Sequence, residues 1–176
     1  MNDEQLYAFV ADARARVSNE SRRRVRWLER QLREETSFTD ICSALAEGAA
    51  AAEMVLLSGR RMRGRITIAG TDFVQLTAAD GMRTLLAAAA IVGVRVLCSE
   101  DLPPGPTPRA MPPVNGHLID ELETLSERRC RVVIGTRNAD AVYRGLIEGV
   151  GQNIVWLEDA TCYVRLSMIT DVTVLP

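Results

Sequence analysis

The residues that could do chemistry are few, and their spacing gives them no partners. His117 is the sole histidine of the 176-residue chain. A general base or metal ligand needs positioned neighbours, and none is evident around it, so it reads as a solvent-exposed turn residue. Cys42, Cys98, Cys130 and Cys162 lie 56, 32 and 32 residues apart with no C-x-x-C. With one histidine available they do not make a zinc site, and they read as small thiols kept reduced in a cytoplasm. G-V-G-Q-N at 149–153 holds two glycines of a dinucleotide loop but lacks the third and leads into a strand, which makes it a hairpin turn. Glu158-Asp159 is a solvated acidic pair at a turn. No P-loop, G-x-S-x-G or H-E-x-x-H occurs. The expectation is a non-catalytic protein with no catalytic residue, cofactor, metal or small-molecule substrate.

Binding chemistry is better represented. Arg61, Arg63 and Arg65 alternate with Met62, Gly64 and Ile66, so a strand here turns three guanidinium groups to one side, with Arg60 at the preceding turn. Arg22, Arg23, Arg24 and Arg26 crowd the start of a predicted helix, where the macrodipole disfavours cations. Both clusters are candidate phosphate contacts for RNA or DNA, and solvated charged surface is the blander account of each. No aromatic is interleaved with them, so a base-stacking platform is not supported. All 21 basic residues are Arg, which suits phosphate binding but is equally what codon bias in a GC-rich genome produces. The net charge of −2 supplies no global attraction for polyanions.

The elements that must hold these residues follow from periodicity. Residues 3–17 and 21–35 carry apolar stripes at helical spacing and form an N-terminal helical arm, 1–36. Ser37 and Asp40 open a third helix, which stops at Gly48. From Glu53 the period changes to two. Strands are expected over 54–57, 62–68, 73–77, 83–87 and 91–97, separated by Gly- and Asp-bearing turns. Residues 99–116 hold six of the seven prolines and read as a stiff linker. A short helix over 118–125 and five more strands follow, at 130–135, 142–148, 153–158, 162–166 and 169–175. The longest apolar run, 85–94, is too short to span a membrane and the first residues are acidic, so a cytoplasmic protein without membrane association is expected.

The two strand-rich parts, 37–98 and 117–176, recur in sequence. M-R-G-R-I…G-T-D-F-V-Q-L at 62–76 aligns with Y-R-G-L-I…G-Q-N-I-V-W-L at 143–157, pairing Arg63 with Arg144, Gly64 with Gly145, Gly70 with Gly151 and Leu76 with Leu157. This X-R-G-x-hydrophobic strand with a Gly-led turn, after a short helix, resembles the Sm-like or LSm small barrel. The resemblance implies an α+β, mainly β chain: a helical arm and two five-stranded Sm-like barrels, each preceded by a short helix. It carries over no RNA-binding residue. Gln75 stands three positions after Asp72, where the family has an Asn at four. The family's Arg-Gly between its last strands is here Ala89-Ala90 and Ser167-Met168.

What differs between the copies is the outward set. If Val74, Leu76, Val155 and Leu157 point inward, then Phe73, Ile154 and Trp156 point the other way, toward a helix of their own barrel, the other barrel or a partner. Trp156 is the natural anchor. The leading expectation is therefore a protein-interaction or assembly module, with edge strands able to add a neighbour's strand within the chain or between copies. The alternative is an RNA- or DNA-binding regulator using the two arginine clusters.

Overall fold

The computed structural model describes Trp27 and residues 36–97, 115–158 and 162–176. The rest of the expected helical arm, including Arg22, Arg23, Arg24 and Arg26, lies outside the described residues, as does most of the Pro-rich linker. Helix α1 (Phe38–Glu47) leads into strands β1 (Ala51–Leu56), β2 (Arg61–Ala69), β3 (Phe73–Thr77), β4 (Arg83–Ala87) and β5 (Ile91–Val96). Helix α2 (Leu118–Glu127) leads into β6 (Arg131–Thr136), β7 (Val142–Val150), β8 (Ile154–Leu157), β9 (Cys162–Arg165) and β10 (Ile169–Val174).

Each helix is amphipathic and ends in the same way. Ala49 and Arg129 take positive φ (44° and 51°). The next N–H groups, of Ala50 and Cys130, then donate back to the carbonyls of Leu45 and Leu125, closing the last turn as in a Schellman end. α1 buries Cys42 and Ala46, and α2 buries Leu118, Leu122 and Leu125. Gly64 sits where a side chain would stand 2.8 Å from the Thr77 carbonyl oxygen, so the close approach of β2 and β3 requires glycine there. β2 pairs with β3 through a register shift between Ile66 and Ile68, and β7 with β8 through one between Ile147 and Gly149. Such bulges bend and twist the long strands.

The expected pair of closed barrels does not form. All ten strands make one open antiparallel sheet in the order β5-β1-β2-β3-β4-β10-β6-β7-β8-β9. The physical reason is at the middle of that order. The free edge of β4 hydrogen-bonds to β10, pairing Leu86 with Asp171, Leu85 with Val172, Thr84 with Thr173 and Arg83 with Val174. β5 and β9 are left as the two edges. The sequence recurrence thus marks two five-strand segments of a single sheet, not a tandem array of Sm-like barrels.

Two cores line this sheet. The first gathers Cys42, Met54, Leu56, Ile66, Val74, Leu76 and Leu86 with α1. The second is built on α2 and β6–β10, but it also contains Ile68, Phe73 and Leu85 from the first segment. The described residues of Phe38–Pro176 form one compact unit.

Candidate functional site

The arginines of β2 do project from the strand, as alternation requires, and each finds an acceptor within the fold, although Arg61 and Arg63 stay largely exposed and share a single carboxylate. Glu53 on β1 stands opposite Arg63 on β2 and Arg95 on β5. Its carboxylate accepts from Arg63 Nε at 2.6 Å and Arg61 Nη1 at 3.3 Å. The Arg63 hydrogen bond, helped by the positive charge of Arg63, Arg61 and Arg95, holds the Glu53 carboxyl below the usual range against the opposing effect of burial. Arg65 donates to the Ala49 carbonyl at 3.3 Å. Arg60 leaves the cluster altogether: its Nη1 lies 2.9 and 2.7 Å from the two carboxylate oxygens of Asp171 on β10.

That last pair belongs to the joint between the segments. The Asp171 side chain is fully buried and also accepts from Thr170 Oγ1 at 2.8 Å. Gly135 makes room for it, since a Cβ there would lie 2.2 Å from Arg60 Nη1 and 2.3 Å from Asp171 Oδ1. Beside it, the Thr84 and Thr173 hydroxyls share a hydrogen bond of 3.1 Å across β4 and β10. At the β2–β3 turn, Asp72 Oδ1 accepts from the Leu118 N–H at 2.7 Å and Thr71 N–H donates to the Gly116 carbonyl. The turn therefore caps α2 of the other segment. His117 is exposed there, with Nδ1 3.5 Å from Asp72 Oδ2.

Strands β3 and β4 consequently have a core on each face. Val74, Leu76 and Leu86 point into the first core, while Phe73 and Leu85 point into the second. Phe73, expected to face outward, is buried because the second segment covers that side, and Gln75 on the same strand is buried too. Gln75 satisfies its amide by donating to Thr67 Oγ1 at 2.9 Å.

At the far end of the sheet the corresponding strands have, among the described residues, a core on one face only. Val155, Leu157 and Val164 fill the second core. On the other face Ile154 and Trp156 are half-buried, and Tyr163, directly opposite Trp156, is 58% exposed. The indole lies across Gly149, where a Cβ would fall 2.2 Å from a ring carbon. Of the three expected interface residues, then, Phe73 is enclosed within the chain while Ile154 and Trp156 share an open apolar face on the edge hairpin.

Tyr163 and Asp171 went unrecognised in the sequence. An acid inside an apolar strand, I-T-D-V-T-V, is a usable signal for a buried ion pair, but its partner lies 111 residues away. Cys42 is buried, which raises its thiol pKa to about 11, and burial also pushes up Cys162. Neither is poised as a nucleophile. Among the described residues no three His, Cys, Asp or Glu side chains are grouped to hold a metal ion, and no helix is long and apolar enough to cross a membrane.

Compared with protein-family models, with curated proteins and with solved structures, the chain matches none.

Proposed function

We propose that this protein is a non-catalytic assembly module that binds a protein partner at the β8–β9 end of its sheet. One observation carries the reading. The same pair of strand positions is covered on both faces in the middle of the sheet and on one face at its end, leaving Ile154, Trp156 and Tyr163 on an edge hairpin whose β9 has no second neighbour among the described residues. Leu166 N–H donates to the Asn153 carbonyl, so by the two-residue alternation Tyr163 and Arg165 turn their backbone groups away from β8. An apolar face with a half-buried Trp next to backbone donors and acceptors that no described strand takes up is the arrangement that β-strand addition uses, main chain giving affinity and side chains giving selectivity.

The competing reading is nucleic-acid binding through Arg22, Arg23, Arg24 and Arg26, which lie outside the described residues, together with Arg60, Arg61, Arg63 and Arg65; we favour it less because Asp171 takes up Arg60 and Glu53 is shared by Arg61 and Arg63.

A photo-crosslinking amino acid at position 163 of the full chain, activated in the producing cells, tests the assembly reading. A discrete protein adduct is expected, with its yield falling several-fold when Trp156→Ala is added. Adducts to nucleic acid alone, or none, would overturn it.

A further inference from the structure

The two cores are not equally closed. On the second, Leu118 is 7% exposed, Ile169 2% and Val172 0%. The side these residues line is covered by Phe73, Leu85 and Ile68 from the back of the first segment. In the first core the positions at the same places in helix and strand are Phe38, Ile91 and Val94, and all three are only partly buried. No element covers them among the described residues. Next to them β5 is an open edge with Val92 and Val96 exposed at 63% and 58%.

The sheet thus ends in two unlike and complementary surfaces. At one end a first core lacks the wall that closes its counterpart. At the other end stands a wall, β8–β9, with no core on its outer face among the described residues. The joint in the middle shows how the two fit: the β4 side of one segment pairs with the β10 side of the other. β9 occupies the place of β4 in its segment, and β5 the place of β10 in its own. Small local bonds agree with this correspondence. Asp72 O accepts from Ala88 N–H just after β4's strand, and Asn153 O from Leu166 N–H just after β9. Leu97 N–H donates to Ala51 O beyond β5, and Leu175 N–H to Arg131 O beyond β10.

From these complementary ends we infer that copies of this chain associate head to tail, β9 of one pairing with β5 of the next. Ile154, Trp156 and Tyr163 then close the next copy's first core as Phe73 and Leu85 close the second. This rests on the binding face proposed above and names its occupant. Transferring the register of the middle joint sets Tyr163 opposite Val94 and Val164 opposite Gly93, with Arg95 falling opposite Cys162. No like charges face each other. Asn153 supplies a side-chain oxygen at the place where Asp72 caps α2, within reach of the start of the next copy's α1. Gly93 takes the place of Asp171, so the outer joint lacks the buried carboxylate of the inner one. It therefore rests on strand pairing and apolar contact. Because the two surfaces differ, the joint is heterologous and does not stop at two copies: the series closes on itself or continues to grow.

Single-edge variants test this in the full chain. Val92→Lys with Val96→Lys blocks the β5 edge, and Tyr163→Lys blocks the β9 edge, all at exposed positions where circular dichroism can confirm an unchanged fold. Light scattering after gel filtration should give a mass above a dimer for the wild type and 19.4 kDa for each variant alone. Mixing the two variants should restore one joint and stop at a 1:1 dimer. A monomeric wild type at the highest soluble concentration, variants that still assemble, or a mixture that stays monomeric would each overturn self-association. If position 163 nevertheless crosslinks to a different protein in cells, the binding face stands and only its occupant changes.

Discussion

Glu53 shows how one buried residue can decide how a charged surface patch behaves. It is 2% exposed, on a strand flanked by arginines from both neighbours, and the Arg63 hydrogen bond holds its carboxyl below the usual range. A carboxyl whose folded pKa lies below its unfolded value stabilises the fold above the unfolded pKa, and that stabilisation fades as pH falls through the folded value. Glu53→Gln keeps the shape and loses the charge. The variant should be less stable than the wild type at neutral pH, and the gap should vanish as pH drops below the ordinary value of 4.5. Urea midpoints of both proteins from neutral pH to acid would measure this, and a gap independent of pH would refute it. The alternation of arginines on β2 was legible in the sequence because period two fixes which side they take. Their neutralisation was not legible, because Glu53 becomes their neighbour only through strand register.

At the scale of elements, what holds β4 against β10 is a short set of polar contacts in an otherwise apolar wall. The Arg60–Asp171 pair has one member fully buried, so removing its partner strands a charge, which costs about 3 kcal/mol or more. Gly135→Ala should do the same damage indirectly, by placing a methyl where the guanidinium and carboxylate now meet. Asp171→Ala, Gly135→Ala and Arg60→Ala are each expected to lower stability, and the Arg60/Asp171 double variant should lose clearly less than the sum of the singles. Additive losses in denaturant titrations would show that the pair does not act as a unit. Here the division between legible and illegible is sharp. Both described helices and all ten strands lie within about three residues of where hydrophobic period and turn residues put them, because those signals are local. The resemblance to a small barrel implied closure within each segment, which does not occur. Closure is decided instead by which edge β4 finds, and that depends on Gly135, Thr173 and Asp171, remote residues with no local signature.

For the described unit as a whole, the consequence is that the second core is shared between the segments. Phe73 and Leu85 are apolar residues of the first segment enclosed by the second, and the β2–β3 turn of the first caps α2 of the second. A unit wired this way should unfold in one step, since losing either segment uncovers the other's apolar surface. Trp156 reports on the second segment if Trp27→Phe removes the other indole, while far-ultraviolet circular dichroism reports on all strands. Measured on the Tyr163→Lys chain, so that association does not enter, the two probes should give coincident urea transitions. Phe73→Ala should destabilise by about 4 kcal/mol and shift both probes together, although the substitution lies in the first segment and the indole in the second. Separate transitions, or a fluorescence midpoint indifferent to Phe73, would mean that the segments fold independently. The joint in the middle of the sheet could then no longer be used as the pattern for one between copies.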